Sequence, residues 1–242
     1  MNLLNKKFIY YSFGFYFMLV FTPVLAANFK VPTFKAEYTL RHNDIEIGHV
    51  DLAVKKLNNG LYQLSSSTKT SGLLSFIRDD DVVEISEFDA PNGRIRPLTY
   101  RYSAELGDSQ KDISLRFDWL KSTVTNSTEG HDWNLSIKDG VLDKALMQIA
   151  LMQDVETDHS LQYSVADGGR LKNFVFTRLG SEKISLNGRL YETTKLARKK
   201  DDKPLITYYW CASELHNLPI LLKRKKSYGS FEMRLEKVTF DK

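Results

Sequence analysis

The amino-acid sequence predicts a mainly β fold: a strongly bent antiparallel sheet, an open or half barrel, around one central amphipathic helix. Three observations predict it. Apolar residues recur at alternate positions along most of the chain, turn-forming residues interrupt these runs about every ten residues, and a single long segment has helical spacing instead.

The elements follow in order. Residues 34–41 and 45–56 form a hairpin around His42-Asn43-Asp44, and Asn58-Asn59-Gly60 turns the chain into a strand over 61–70. In the second strand Ile45 and Ile47 hold odd positions, whereas Val50, Leu52 and Val54 hold even ones. Gly48 sits at this slip and predicts a β-bulge that bends the strand. A helical turn is expected over 72–77. Asp79-Asp80-Asp81 reads as a charged turn, because it lacks the alternating oxygen ligands, glycine and glutamate of a calcium loop. Next, Leu98, Tyr100, Tyr102 and Ala104 alternate with Thr99, Arg101, Ser103 and Glu105. Ile113, Leu115, Phe117 and Trp119 repeat the rhythm after the turn at Gly107-Asp108-Ser109-Gln110. Each such strand has one wet and one packed face.

Helical spacing takes over across residues 141–155, where Leu142, Ala145, Leu146, Ile149 and Met152 recur along one side. Asp139 or Gly140 can cap its start, and Asp143 in the first turn suits the helix dipole. Its polar residues Asp143, Lys144, Gln148 and Asp154 fall on a narrow arc. Met147, Ala150 and Leu151 widen the apolar side, so the helix is expected inside the sheet. Strands then resume, with turns at Asp167-Gly168-Gly169, Asn187-Gly188, 200–204 and Tyr228-Gly229. In the last strand Phe231, Met233 and Leu235 give way to Val238 and Phe240, a second bulge-like slip. The run from Leu205 to Ala212 suits a strand buried on both faces, with Cys211 acting as a small hydrophobe.

The ends and the composition set the compartment. Lys6 and Lys7, an apolar run over 8–21, and Val24 and Ala26 around a small-residue cleavage site make residues 1–26 a secretory signal peptide. No cysteine follows the apolar run, so lipid attachment has no acceptor there. Cleavage leaves one β-rich domain, residues 27–242, free in the periplasm without stable membrane insertion, and with one cysteine it has no internal disulfide. The mature charge, 32 basic against 30 acidic side chains or +2, is too mild to point to nucleic acid. Of the two basic clusters, 198–200 reads as a solvated hairpin tip and 223–226 as lysines guarding an edge strand. Acidic lipid or polysaccharide is the sharper alternative for both.

With these residues in place, the chain resembles the exported bacterial proteins grouped as domain-of-unknown-function family 3108. The resemblance rests on the hairpin over 38–48, Thr70-Ser71-Gly72-Leu73-Leu74-Ser75 and Phe117-Asp118-Trp119. It continues with Gly140-Val141-Leu142-Asp143, Asp167-Gly168-Gly169, and the closing Tyr209-Trp210 and Leu218-Pro219-Ile220 before a basic strand. It implies location and architecture more than chemistry. The closing strands are also similar to those of periplasmic lipoprotein-carrier proteins, which hold acyl chains in a bent sheet around a helix. Fold alone does not fix function.

No motif for catalysis or metal binding stands out, and no cofactor is expected. The five histidines lack zinc-site spacing, His131-Asp132 reads as a solvated loop, and no nucleophile elbow is present. The aromatic residues carry more information. Tyr100, Tyr102, Phe117 and Trp119 are expected on one face of the bent sheet, closed by Leu73, Leu74 and Phe76 and by Leu146, Met147 and Ile149 of the helix. Together they either fill a dry core or line a hollow for an apolar ligand. Arg101 and Arg116 alternate with them and point to the other face. The expected function is a non-enzymatic periplasmic protein that binds a hydrophobic or amphiphilic envelope molecule, such as a lipid or a lipoprotein acyl chain. The alternative is a structural or assembly factor of the cell envelope working through a protein partner.

Overall fold

Two-residue alternation becomes strand pairing along most of the described residues. In a computed structural model that describes residues 30–71, 80–107, 109–128, 130–157, 161–200, 203–226 and 229–241, fourteen strands form one antiparallel sheet. The first half contains β1 (Phe34–His42), β2 (Ile45–Lys56), β3 (Tyr62–Thr70), β4 (Asp80–Asp89), β5 (Arg96–Leu106), β6 (Ser109–Asp118), β7 (Thr123–Thr128) and β8 (His131–Ser136). After the helix α1 (Met147–Asp154) come β9 (Leu161–Ala166), β10 (Leu171–Leu186), β11 (Arg189–Lys200), β12 (Lys203–Ala212), β13 (Leu218–Lys226) and β14 (Gly229–Phe240). The expected signal peptide and the helical turn over 72–77 lie outside the described residues.

The sheet order is β8-β7-β6-β5-β4-β3-β2-β1-β14-β13-β12-β11-β10-β9. Two meanders, one from each half of the chain, are therefore joined where the first strand pairs with the last. Phe34 lies opposite Phe240 in that seam, with the rings 5.7 Å apart. Among the described residues β8 and β9 are the two edges and do not pair, so the sheet bends without closing into a barrel. Both expected bulges are present. The β1–β2 register shifts where Leu40 faces Gly48 and Arg41 faces Glu46, and the β1–β14 register shifts where Glu37 faces Lys237 and Tyr38 faces Leu235. Gly48 is needed for close approach as well: a Cβ there would lie 2.4 Å from the Lys69 carbonyl oxygen.

The chain between the two edges differs from the expected helix over 141–155. Leu142 instead makes a parallel bridge to Val165 of β9: its N–H donates to the Ser164 carbonyl at 2.9 Å, and its own carbonyl accepts from the Ala166 N–H at 2.8 Å. Asp143 Oδ1 then accepts the Leu146 N–H at 2.9 Å in the turn that leads into the helix, which begins at Met147. With Asp143 and Lys144 outside it, the helix loses its polar arc. Met147, Ile149, Ala150, Leu151 and Met152 are all buried, as suits a short helix enclosed by a sheet.

Inward side chains from β1–β4 and β9–β14 pack around α1 in the larger of two cores. Phe34, Tyr38, Leu64, Phe88, Leu146, Ile149 and Leu235 are essentially inaccessible there. Each side chain of this size contributes about 1.5–3 kcal/mol by leaving water. Three smaller expectations are corrected. Asp80 and Asp81 belong to β4 rather than to a turn, and His131 and Asp132 belong to β8 rather than to a loop, because each pairs in register with a neighbouring strand. The basic strand β13 lies inside the sheet between β12 and β14, so its lysines guard no edge.

Candidate functional site

Along the concave face, one end of each strand is packed and the other is not. In β1 the inward residues run from Phe34 and Tyr38, fully buried, to Leu40 and His42, half-buried. In β3 they pass from buried Leu64 to Ser66 and Thr68, in β11 from Leu196 to Arg198, and in β13 from Ile220 to Leu222 and Arg224. These changes fall at the same end of the sheet, because the antiparallel register sets Arg198 opposite Thr207, Thr207 opposite Arg224, and Arg224 opposite Phe231. We call the packed end the floor and the other the mouth.

Three hollows occupy the mouth side. One of about 180 Å³ is lined by Leu40, Ile47, Leu222, Arg224, Phe231 and Met233. A second of about 170 Å³ is lined by Leu52, Met147, Leu151, Arg198, Tyr209 and again Leu222. The third, about 240 Å³, lies between Tyr100, Tyr102, Leu115 and Asp167, and shares Lys144 with the second. Each is smaller than the ~300 Å³ at which sites for drug-sized ligands begin. Leu222 lines both the first and the second hollow, and Lys144 both the second and the third. A dent of about 480 Å³ beside Lys30, Met152, His216 and Phe240 lies at the opposite end, where β14 finishes.

A polar group stands on the wall between the second and third hollows. Glu84 Oε1 accepts from the Tyr100 hydroxyl at 2.6 Å and from Lys144 Nζ at 2.8 Å, and the Lys144 ammonium lies 5.2 Å from the centre of the Tyr102 ring. Beneath it, Asp143 is fully buried and accepts the Ser86 hydroxyl at 2.6 Å. Burial pushes the Asp143 carboxyl up to about 7, against the opposing pull of the Ser86 and backbone hydrogen bonds. The nearby Glu84 charge also raises the Tyr100 hydroxyl, after burial itself.

The predicted cavity residues divide between two clusters. Tyr100, Tyr102, Phe117 and Trp119 do share one face, with Phe117 stacked on Trp119 at 5.7 Å and the Trp119 indole donating to the Pro97 carbonyl at 2.7 Å. They are closed by Ile137, Val141 and Ala166, not by α1. Leu146, Met147 and Ile149 belong to the larger core. Leu146 and Ile149 are wholly buried, and only Met147 of the three reaches a hollow. Leu73, Leu74 and Phe76 lie outside the described residues. Arg101 and Arg116 are exposed on the convex face, as their alternation required.

Sequence reasoning passed over Leu222 and Glu84, placed Lys144 on the polar side of the helix, and read Arg198 and Arg224 with their clusters as a solvated tip and a guarded edge, or as a surface for acidic lipid or polysaccharide. Their signal was parity: Arg198 continues the inward positions of Leu196, and Arg224 those of Leu222, inside runs that read as solvated charge. Cys211 is buried among the core residues, which pushes its thiol up to about 12 and keeps it protonated. No group of three or more His, Cys, Asp or Glu is placed to hold a metal among the described residues. No helix among them is long and apolar enough to cross a membrane.

A family model described as protein of unknown function (DUF3108) matches residues 34–236. No curated protein matches the chain. Among solved structures, the chain is similar to a beta-barrel-like protein of domain of unknown function DUF1849 from Brucella abortus. Their identity is 10% and the TM-score 0.60, over 88% of this chain and 99% of that one. At that identity the likeness concerns the fold alone.

Proposed function

The chain belongs to the DUF3108 family of proteins of unknown function, and from that premise we propose that it is a non-enzymatic periplasmic protein holding a hydrophobic or amphiphilic envelope molecule on its concave face. The ligand class is a lipid or a lipoprotein acyl chain. The observation that carries this reading is the incompletely filled mouth. Hollows of about 180 and 170 Å³, both walled by Leu222, lie on the same sheet face as floor side chains such as Phe34, Leu64 and Phe88 that are sealed in the core. Native cores close voids of this size, because each unfilled volume forfeits dispersion contacts. A run of partly filled apolar space above a dry core suits a slender chain that enters lengthwise. Export rests on Lys6, Lys7, the apolar run over 8–21 and the Val24–Ala26 cleavage site.

Native mass spectrometry of the protein drawn from its own periplasm tests the reading. A co-purifying lipid mass, released on unfolding, is expected. A bare chain that also takes up no lipid offered in detergent would contradict it.

One observation favours a second reading, an assembly factor that docks a protein partner. The edge strand β8 is exposed along most of its length, with Trp133 46% accessible on it. Exposed edges accept an added strand. Crosslinking from position 133 in cells to one recurrent partner would support that role, and crosslinks to no protein would remove it.

A further inference from the structure

We infer that the mouth selects amphiphiles with an anionic headgroup, which Arg198 and Arg224 bind from neighbouring positions on the concave face. The inference rests on the binding role proposed above and names the chemistry of what is bound.

Strand register brings the two arginines together. Arg198 of β11, Thr207 of β12 and Arg224 of β13 lie opposite one another in one row, which Phe176 and Phe231 continue on either side. The arginines are two strand spacings apart, about 10 Å between backbones, within reach of one headgroup from both long side chains. They face inward although the core wants apolar residues there: Leu196 and Leu222 occupy the same parity two residues earlier. Their charges are not neutralised internally. Among the described residues neither pairs with a carboxylate, and the Nε of each is buried without a hydrogen-bond partner. Of the carboxylates that line the same hollows, Glu84 is taken by Lys144 and Tyr100, and Glu232 pairs with Lys223 and Arg234.

Arg198 is held rather than free. Its guanidinium lies 5.2 Å from the Phe174 ring and 5.6 Å from the Tyr209 ring, and its Nη2 is 3.5 Å from the Thr207 hydroxyl oxygen. A guanidinium held over ring faces is fixed in place while its N–H groups remain able to donate. A buried donor without an acceptor is costly, and a charged one more so. A carboxylate or phosphate monoester entering with its chain between Leu40, Leu222 and Met233 supplies acceptors for both arginines in charge-assisted bonds. Lys199, Lys223 and Lys225 are exposed and alternate onto the convex face.

Calorimetric titration of the exported chain with dodecanoate, dodecanol and inorganic phosphate tests the inference. Dodecanoate is expected to bind at least about tenfold more tightly than dodecanol. The double variant Arg198→Gln/Arg224→Gln should remove that preference while still binding dodecanol, and Lys225→Gln should keep it. The wild-type comparison stands even where the double variant does not fold. Equal binding of dodecanoate and dodecanol overturns the inference and leaves the proposed binding role intact, whereas no binding of either overturns both. Phosphate alone binding as tightly as dodecanoate, and losing that binding in the double variant, identifies a free-anion site and overturns the amphiphile assignment.

Discussion

The floor and the mouth of the sheet are made by the same strands, and they differ in what the inward positions carry. At the floor Phe34, Leu64 and Phe88 are sealed around α1. A few residues along those strands, Ser66, Glu84 and Leu40 are half-buried beside hollows. The backbone is equally regular at both ends, and the ladders run through without interruption apart from the bulges. Packed and partly filled positions are therefore divided along the strand axis rather than between elements.

The largest effect separating the two regions is expected from cavity formation. Phe88→Ala at the floor should cost about 3–5 kcal/mol in urea unfolding, whereas Met233→Ala, half-buried at the mouth, should cost about 1 kcal/mol or less. Similar costs would mean that the mouth is packed as tightly as the floor.

Asp143 lies at the boundary and gives the comparison a pH dependence. Its carboxyl is raised from 3.8 to about 7 by burial, so the folded chain holds a proton that the unfolded chain releases. This contribution is fully present below about pH 4, declines as pH rises through the window from 3.8 to about 7, and is lost above it, by at most about 1.4 kcal/mol per pH unit. In Asp143→Asn the amide oxygen still accepts the Leu146 N–H. Unfolding measured at pH 4.5, 6 and 7.5 should then show a smaller decline than in the wild type, and an equal decline would assign it to other groups.

Overpacking sharpens the contrast from the opposite side. Leu64→Trp should lose about 1–3 kcal/mol, whereas Leu222→Trp, with hollows on both sides, should change stability by under about 0.5 kcal/mol. The smallest expected effect is chemical. The Cys211 thiol, pushed up to about 12 in the core, should resist a disulfide reagent at pH 8 in the folded chain and react fully in urea. Rapid labelling without urea would show that this part of the core opens.

Much of this architecture was legible in the residues. The parity slips at Gly48 and before Val238 announced both bulges, because a two-residue period cannot absorb an extra residue silently. The shared face of Tyr100, Tyr102, Phe117 and Trp119 followed from alternation. The start of the helix did not. Leu142 and Leu146 satisfy helical spacing, but Leu142 is captured by Val165, a long-range pairing that local periodicity does not register. For the same reason Ala166 and Val141, not α1, close the smaller aromatic cluster. Arg198 and Arg224 were visible but hidden inside charge runs, where composition suggests solvent and only parity assigns the inner face.

The division between floor and mouth is tested most directly by uptake of a naphthylamine probe that fluoresces in apolar surroundings, measured in the wild type and in Leu222→Trp alongside their melting temperatures. The account predicts saturable uptake by the wild type and its loss in Leu222→Trp, with the two chains melting together. Undiminished uptake in Leu222→Trp, or no uptake by the wild type, would contradict it.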